Sequence, residues 1–349
     1  MAEKLAICLN AGDRNAALPE GAFTLPALDR RGLRVESYMV NTRNLLSGLL
    51  FVARLALRRR PQVVIAGEYY CTFFACLWFG MRSGVVLVSV AMNQSRRLLR
   101  FGFRPLDGLI DRIFRRLRLV VVHSVAEAGQ FSALHGIPAD RFAFAHWGYD
   151  LPAPGVPAEP VALCMVGRNN RDWAAFLRLA TGLGLNGLIV APAYAGLPAD
   201  PAPGVTARFD IPMADCISAM AAAEVNVVAL LDASRGAGHI TLVSAMHLGR
   251  PLVVSAAPQI ADYVLDGVNG LVVPLGDDAA LADAVQRLRG DPALAERLGE
   301  AGRRLAGRFM SHGAARQRLD LVVEAALSGA PVPFLDPDWA AERARLDAG

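Results

Sequence analysis

Apolar and polar positions alternate along this chain in blocks rather than residue by residue. Short apolar runs at Leu5 to Asn10, Val63 to Ala66, Val85 to Val90 and Leu119 to His123 are separated by stretches with helical spacing, such as Asn44 to Leu57 and Leu106 to Arg116. Near-continuous apolar runs mark strands buried on both faces, and their alternation with helices predicts a parallel sheet covered on both sides. A second series repeats the pattern, with strands at Ala162 to Val166, Leu188 to Val190, Val225 to Leu231 and Leu252 to Ser255. Its helices run over Trp173 to Thr181, Ala214 to Ala223, Ile240 to Leu248, Ala279 to Arg289 and Pro292 to Ala306. Between the series, LPAPGVPAEP (151–160) holds four prolines and cannot continue regular structure. The expected organisation is a first domain over 1–150, a linker over 151–160, a second domain over 161–327, and a tail over 328–349 whose helix, Asp338 to Leu346, packs back on the first domain. The fold class is α/β: two doubly wound, Rossmann-like domains facing each other across a cleft.

Length and composition agree with that picture. The 349 residues are enough for two cores, and 54% hydrophobic against 19% charged residues excludes a disordered chain. Five cysteines, odd in number and set in apolar runs, predict free thiols in a reducing compartment. The N-terminus begins directly on an apolar run, with neither basic leader nor cleavage site, so no secretion signal is expected. The most apolar stretch, Tyr69 to Met92, is interrupted by Arg82, Ser83 and Gly84 and predicts a buried helix followed by a buried strand rather than a membrane span.

Charge is uneven. Residues 1–150 hold 20 Lys+Arg against 11 Asp+Glu, a net of +9, which leaves −5 for 151–349 from the total of +4. Eight arginines fall between Ser95 and Leu119, interleaved with Leu98, Leu99, Phe101, Phe103, Leu106 and Leu109. Cations beside apolar side chains suit an anionic membrane surface; the competing reading is a solvated helix face in an arginine-biased chain whose one lysine is Lys4. Nucleic-acid motifs are missing from the sequence, and no nucleic-acid partner is expected.

The most informative block is Leu231 to Asp277. It predicts a buried strand, a loop with Gly236 and Gly238, a helix from Ile240, then Gly249 and a further strand over Pro251 to Ser255. That order aims a helix N-terminus at the carboxyl edge of a parallel sheet, where backbone N–H groups and the helix dipole favour an anion. Gly238, His239, Ile240 and Thr241 form the candidate cradle, glycine for close approach and Thr241 to cap or to donate its hydroxyl. An ordinary strand-to-helix turn is the alternative. For His239, capping of its own loop competes with a place beside the anion.

Together with GRNNRDW at Gly167 to Trp173, GRPLVVS, DGVNGLVVPLGD and DPALAERLGEAGRRLAGRF, this block resembles the glycosyltransferase B (GT-B) fold and, within it, the retaining family 4 of nucleotide-sugar transferases. The first half resembles it more loosely, through Glu68-Tyr69-Tyr70, VVHSVAEAGQF and HGIPADRFAFAHWGYD. The resemblance implies an NDP-sugar donor held mainly on the second domain, an acceptor on the first, and no resident cofactor. It places Arg168 and Arg171 against the diphosphate, with Arg168 carried over more directly because the spacing to the second cation is shorter by two. For Arg171 the alternative is an exposed pair with Asp172. That family usually carries two glutamates separated by seven residues; the matching positions here are Gly236 and Ser244, so the ribose contact passes to Ser244, a neighbour or the backbone. Asn93 stands where the family often has a histidine.

In the first half, Gly12 ends the first strand, where the fold brings a loop to the donor, and Glu68 follows Val63 to Ala66 on the same edge. Glu68 is the candidate acid for an acceptor hydroxyl, against a solvated loop carboxylate. The remaining histidines lack metal-ligand spacing, and no metal is expected. No phosphate-binding Gly-Lys loop, GxSxG elbow or GxGxxG after the first strand occurs, which argues against NTPases, serine hydrolases and classical dehydrogenases. The expected protein is a cytoplasmic, peripheral inner-membrane glycosyltransferase that uses an NDP-sugar on a lipid-linked, glycolipid or cell-envelope glycan. Two further readings stay open: a non-catalytic sugar-nucleotide or glycan-binding protein, and a soluble transferase acting on a small molecule or RNA.

Overall fold

The computed structural model describes residues 4–19, 23–92, 99–233 and 236–347. It divides into two compact units, 1–145 with 316–349, and 146–315. Asn93, Arg96 and Arg97 lie outside the described residues.

Unit 1 runs β1 (Leu5–Gly12), β2 (Ala16–Ala17), α1 (Pro26–Arg30), β3 (Arg34–Asn41), α2 (Leu45–Arg58), β4 (Val63–Gly67), α3 (Tyr69–Trp78), β5 (Val86–Val90), α4 (Arg104–Phe114), β6 (Leu119–Val122), α5 (Val125–His135) and β7 (Phe142–Phe144). Its strand order is β2-β3-β1-β4-β5-β6-β7, parallel except for β2 on β3. Successive side chains of a strand point to opposite faces. Thus Ile7 and Leu9 join one core with Val52 of α2, Phe74 of α3, Ile110 and Phe114 of α4, and Phe131 of α5. Ala6 and Cys8 face a second core with Leu28 of α1.

Unit 2 runs β8 (Val161–Val166), α6 (Trp173–Leu183), β9 (Gly187–Ala191), β10 (Val205–Phe209), α7 (Met213–Ala222), β11 (Ala223–Val228), α8 (His239–His247), β12 (Leu252–Ser255), β13 (Leu271–Val273), α9 (Asp278–Gly290) and α10 (Pro292–Phe309). All strands are parallel in the order β10-β9-β8-β11-β12-β13. The chain then continues through α11 (His312–Ser328) and α12 (Pro337–Asp347).

The unit boundaries differ from the expected ones in two places. The proline stretch 151–160 falls inside unit 2, because the residues around it are fastened there: Tyr149 N–H donates to Met310 O (3.1 Å), Gly155 N–H to Ala214 O (3.0 Å), and Val156 N–H to Asp215 Oδ1 (2.8 Å). Residues 316–327, expected in the second domain, belong to unit 1. There Val322, Val323, Ala325 and Ala326 share the core of Ala6 and Leu28, and Arg318 Nε donates to Phe144 O at 3.1 Å. The tail follows them, Phe334 O accepting from Phe144 N–H at 2.7 Å.

Candidate functional site: an anion cradle in unit 2

β8 and β11 are hydrogen-bonded neighbours, so their carboxyl ends deliver two loops side by side. Asn170, in the left-handed region at φ 55°, ties those loops together: its amide donates to Asp232 O (2.8 Å) and accepts from Asp232 N–H (3.2 Å). With the loop so turned, Arg171 folds inward and Asp172 caps α6 by accepting from Ala175 N–H at 2.9 Å. The exposed Arg171–Asp172 pair is therefore excluded; Arg171 is 4% exposed.

Its guanidinium donates from Nε to Val166 O (3.2 Å), from Nη1 to Asn169 O (3.0 Å) and from Nη2 to Thr241 Oγ1 (3.1 Å). One glycine makes room for it, and a second lies beside it. A Cβ on Gly167 would fall 2.3 Å from Arg171 Nε, and one on Gly238, which caps α8 at φ 97°, would fall 3.6 Å from Nη2. The three acceptors are neutral, and no carboxylate pairs with this cation among the described residues. Burial alone brings the guanidinium down to about 10, so it stays protonated at neutral pH. Three bonds engage three of the five N–H donors of an arginine. A buried cation without a counter-ion stands against a helix N-terminus, whose first N–H groups have no partner within the helix. The local field is positive from two independent sources.

The other expected residues divide. Thr241 Oγ1 donates to Val166 O (3.1 Å) and accepts from Arg171, so its hydroxyl joins β8 to α8 and does not cap the helix. His239 Nε2 lies 3.2 Å from Gln259 O, which makes it the protonated nitrogen, and its ring meets Tyr263 edge-on at 4.7 Å. Ser244 is buried, and its hydroxyl donates to Ile240 O at 2.7 Å while Tyr149 Oη lies on it. The hydroxyl expected to reach a ribose is thus engaged within unit 2. Arg168 is the opposite of Arg171: its side chain is 72% exposed and 3.6 Å from the half-exposed Asp210, a pairing worth little.

Gly12 and Glu68 end β1 and open α3 in unit 1. A Cβ on Gly12 would meet Met39 Cγ at 2.4 Å, which gives this glycine a packing reason of its own. Glu68 is no solvated carboxylate: it is buried, takes φ 68°, and its side chain accepts from Tyr70 N–H at 2.9 Å to cap α3. A positive φ at a glutamate costs of order 1–3 kcal/mol and is kept only where the surroundings impose it.

Three contributors escaped the sequence reading. Asn170 was visible only as an Asn-Asn pair, a known tolerance for positive φ. Tyr149 reaches α8 from far along the chain. Gln259 is wholly buried with neither amide atom hydrogen-bonded, and nothing in the sequence signals that.

Residues 157–291 match the family described as glycosyl transferases group 1. The matched segment lies within unit 2. A phosphatidyl-myo-inositol mannosyltransferase of Mycobacterium leprae is 38% identical over 93 residues, 27% of this chain and 25% of that protein, so the match spans a quarter of the relative's length. Among solved structures, sucrose-phosphate synthase of Thermosynechococcus elongatus superposes with a TM-score of 0.70 at 16% identity, over 94% of this chain and 100% of that one. HepE of Anabaena in complex with UDP-glucose gives 0.67 at 15% identity, over 92% and 99%. The chain has the GT-B fold.

Proposed function

We propose that this protein is a glycosyltransferase that moves a sugar from an NDP-sugar to a lipid-linked, glycolipid or cell-envelope glycan acceptor at the inner face of a membrane, with retention at the anomeric carbon. The observation that carries the donor half is the buried, counter-ion-free Arg171 beside the N-terminus of α8. In the reaction, the bond from the anomeric carbon to the diphosphate oxygen breaks, the bond to the acceptor oxygen forms, and the acceptor proton passes to the departing diphosphate. The negative charge that grows on the diphosphate is what Arg171, the α8 N–H groups and the reachable Arg168 stabilise. No metal or resident cofactor is needed for that step.

Support for the acceptor half is indirect. The Mycobacterium relative is named for a phosphatidylinositol acceptor. The described part of the basic stretch 95–119 presents Phe101, Phe103, Leu106 and Leu109 to solvent beside Arg104 and Arg112, which make no ion pair among the described residues. Among those residues no helix is long and apolar enough to cross a membrane, which leaves peripheral attachment as the proposed mode. The glycine at position 236, where the resembled family carries a glutamate, favours one second reading, a donor-binding protein without turnover. Incubation with a panel of UDP-, GDP- and ADP-sugars decides between the two. Release of nucleoside diphosphate supports transfer, binding without release supports the second reading, and no binding of any nucleoside diphosphate rejects both.

A further inference from the structure

Most of the exposed apolar side chains of unit 1 fall into two groups, Met81, Val125 and Leu321 apart. α2 turns Gly48, Val52 and Ala56 inward, while Leu46, Leu50 and Leu57 are 65%, 47% and 77% exposed. At 100° per residue these three leucines fall within about 40° of one another around the helix axis. They form one stripe, well away from the buried side. A second exposed group, Phe101 and Phe103 at 60% and 62%, leads into α4. α2 and α4 each pack against α3 and cover the same face of the sheet, sharing the core of Val52, Phe74 and Ile110. In a parallel sheet each such helix starts at the carboxyl edge, so Leu46 and Leu50 at the start of α2 stand on the same edge as Phe103 at the start of α4.

Charge decides the occupant. From Ser37 to Gly67 there is no Asp or Glu, yet there are five arginines: Arg43, Arg54, Arg58, Arg59 and Arg60. Arg59 pairs with Glu36 at 2.8 Å; Arg54, Arg58 and Arg60 make no ion pair among the described residues. A second copy of this chain would set arginines against arginines. An anionic bilayer offers phosphates to the arginines and a headgroup-to-acyl boundary to the leucines.

We propose that unit 1 binds an anionic bilayer through this whole helical face, the leucine stripe of α2 entering the boundary together with Phe101 and Phe103, and Arg54, Arg58, Arg104 and Arg112 meeting lipid phosphates. The proposal deepens the membrane reading given above and rests on it for the nature of the acceptor. The test is sedimentation of the full chain with vesicles of phosphatidylcholine, with and without phosphatidylglycerol. Wild type should bind the anionic vesicles, and the triple variant Leu46→Ser, Leu50→Ser, Leu57→Ser should lose about 10-fold or more. Arg54→Gln with Arg58→Gln should flatten the salt dependence. All these positions are exposed, so circular dichroism and UDP titration should match wild type in each variant. Wild-type vesicle binding by the leucine variant overturns the proposal. So does a concentration-dependent dimer that the leucine changes abolish while vesicle binding persists, since the stripe would then serve a second copy. Vesicle binding lost in the leucine variant of a protein that binds no nucleoside diphosphate leaves this inference standing and removes the donor reading instead.

Discussion

The two units share an architecture and use polar groups in opposite ways. In unit 2 the polar side chains at the carboxyl edge converge on one spot and leave a net positive charge there, held by Arg171, with Thr241 and Asn170 as struts. In unit 1 the corresponding edge closes on itself. Glu68 is spent on capping α3. Tyr69 Oη donates to His135 Nε2 (2.9 Å), His135 Nδ1 donates to Asp111 (3.0 Å), and Arg100 pairs with the same carboxylate at 2.6 Å. What unit 1 leaves unmet lies outside, in the exposed leucines of α2 and in arginines of α2 and α4 that make no ion pair among the described residues. A site that must bind a small anion keeps an uncompensated charge inside, whereas a surface that meets an extended partner can satisfy its interior and leave its periphery unmet.

Acid is the strongest way to break unit 1. Burial drives both His123 and His135 down to about 4, against 6.5 in the unfolded chain. Between these values the unfolded chain binds protons that the folded chain refuses, so this contribution to stability is complete above 6.5 and is lost as pH falls toward 4. The loss is about 3 kcal/mol per histidine at most. Asp111, held below its usual value despite burial by Arg100 and His135, adds to the loss at the lower end. Hydrogen exchange at β6 and α5 should accelerate steeply from pH 6.5 to 4, and flat protection there would refute the closed network.

Arg171 sharpens the other side. Arg171→Met removes a charge whose burial is uncompensated, so thermal stability should hold within a few degrees. Nucleoside diphosphate affinity should fall about 100-fold, roughly 2.7 kcal/mol, by calorimetric titration. Unchanged affinity would separate the cradle from the donor. Arg171→Lys keeps a charge without the fork and should recover only part of the loss.

The contrast between the units also explains what was legible in the sequence. Central strands such as Val63–Gly67 and Val161–Val166 are buried on both faces and read as unbroken apolar runs. The unread strands lie toward sheet margins: β7, β10 and β13 are edges, and β3 is paired outward only with the two-residue β2. Val205–Phe209 alternates buried and exposed residues accordingly, and its polar half hides it. α11 reads as the end of the second domain because its position in the chain follows α10, while its partners, β1 and α1, lie some 300 residues earlier. The cradle residues were nameable as a loop and helix start. Which arginine turned inward was not, since that depends on Gly167 and Thr241 leaving a slot for one guanidinium.

Arg168 tests whether an exposed cation adds to a buried one. Its partner Asp210 sits at 3.6 Å in solvent, so the pair offers little resistance to rearrangement. Arg168→Ala should weaken UDP binding about 3- to 10-fold and leave the melting temperature unchanged. The weakening should fade as salt rises, unlike that of Arg171→Met, because only the exposed charge is screened. Equal salt dependence in the two variants would erase the distinction between them.

The smallest effect is expected at Gln259, where unit 2 carries a polar group that its own residues do not satisfy. Both side-chain amide atoms are buried without a hydrogen bond, and the backbone carbonyl beside them is the acceptor for His239. An unmet buried amide opposes folding, and replacing it with an apolar group of similar shape relieves that cost. Gln259→Met should therefore raise unfolding stability by about 1 kcal/mol in denaturant titration, with UDP affinity unchanged. Destabilisation would mean that the amide has a partner, and a loss of UDP affinity at constant stability would mean that this partner is the donor, extending the cradle from Arg171 past His239 to the turn after β12.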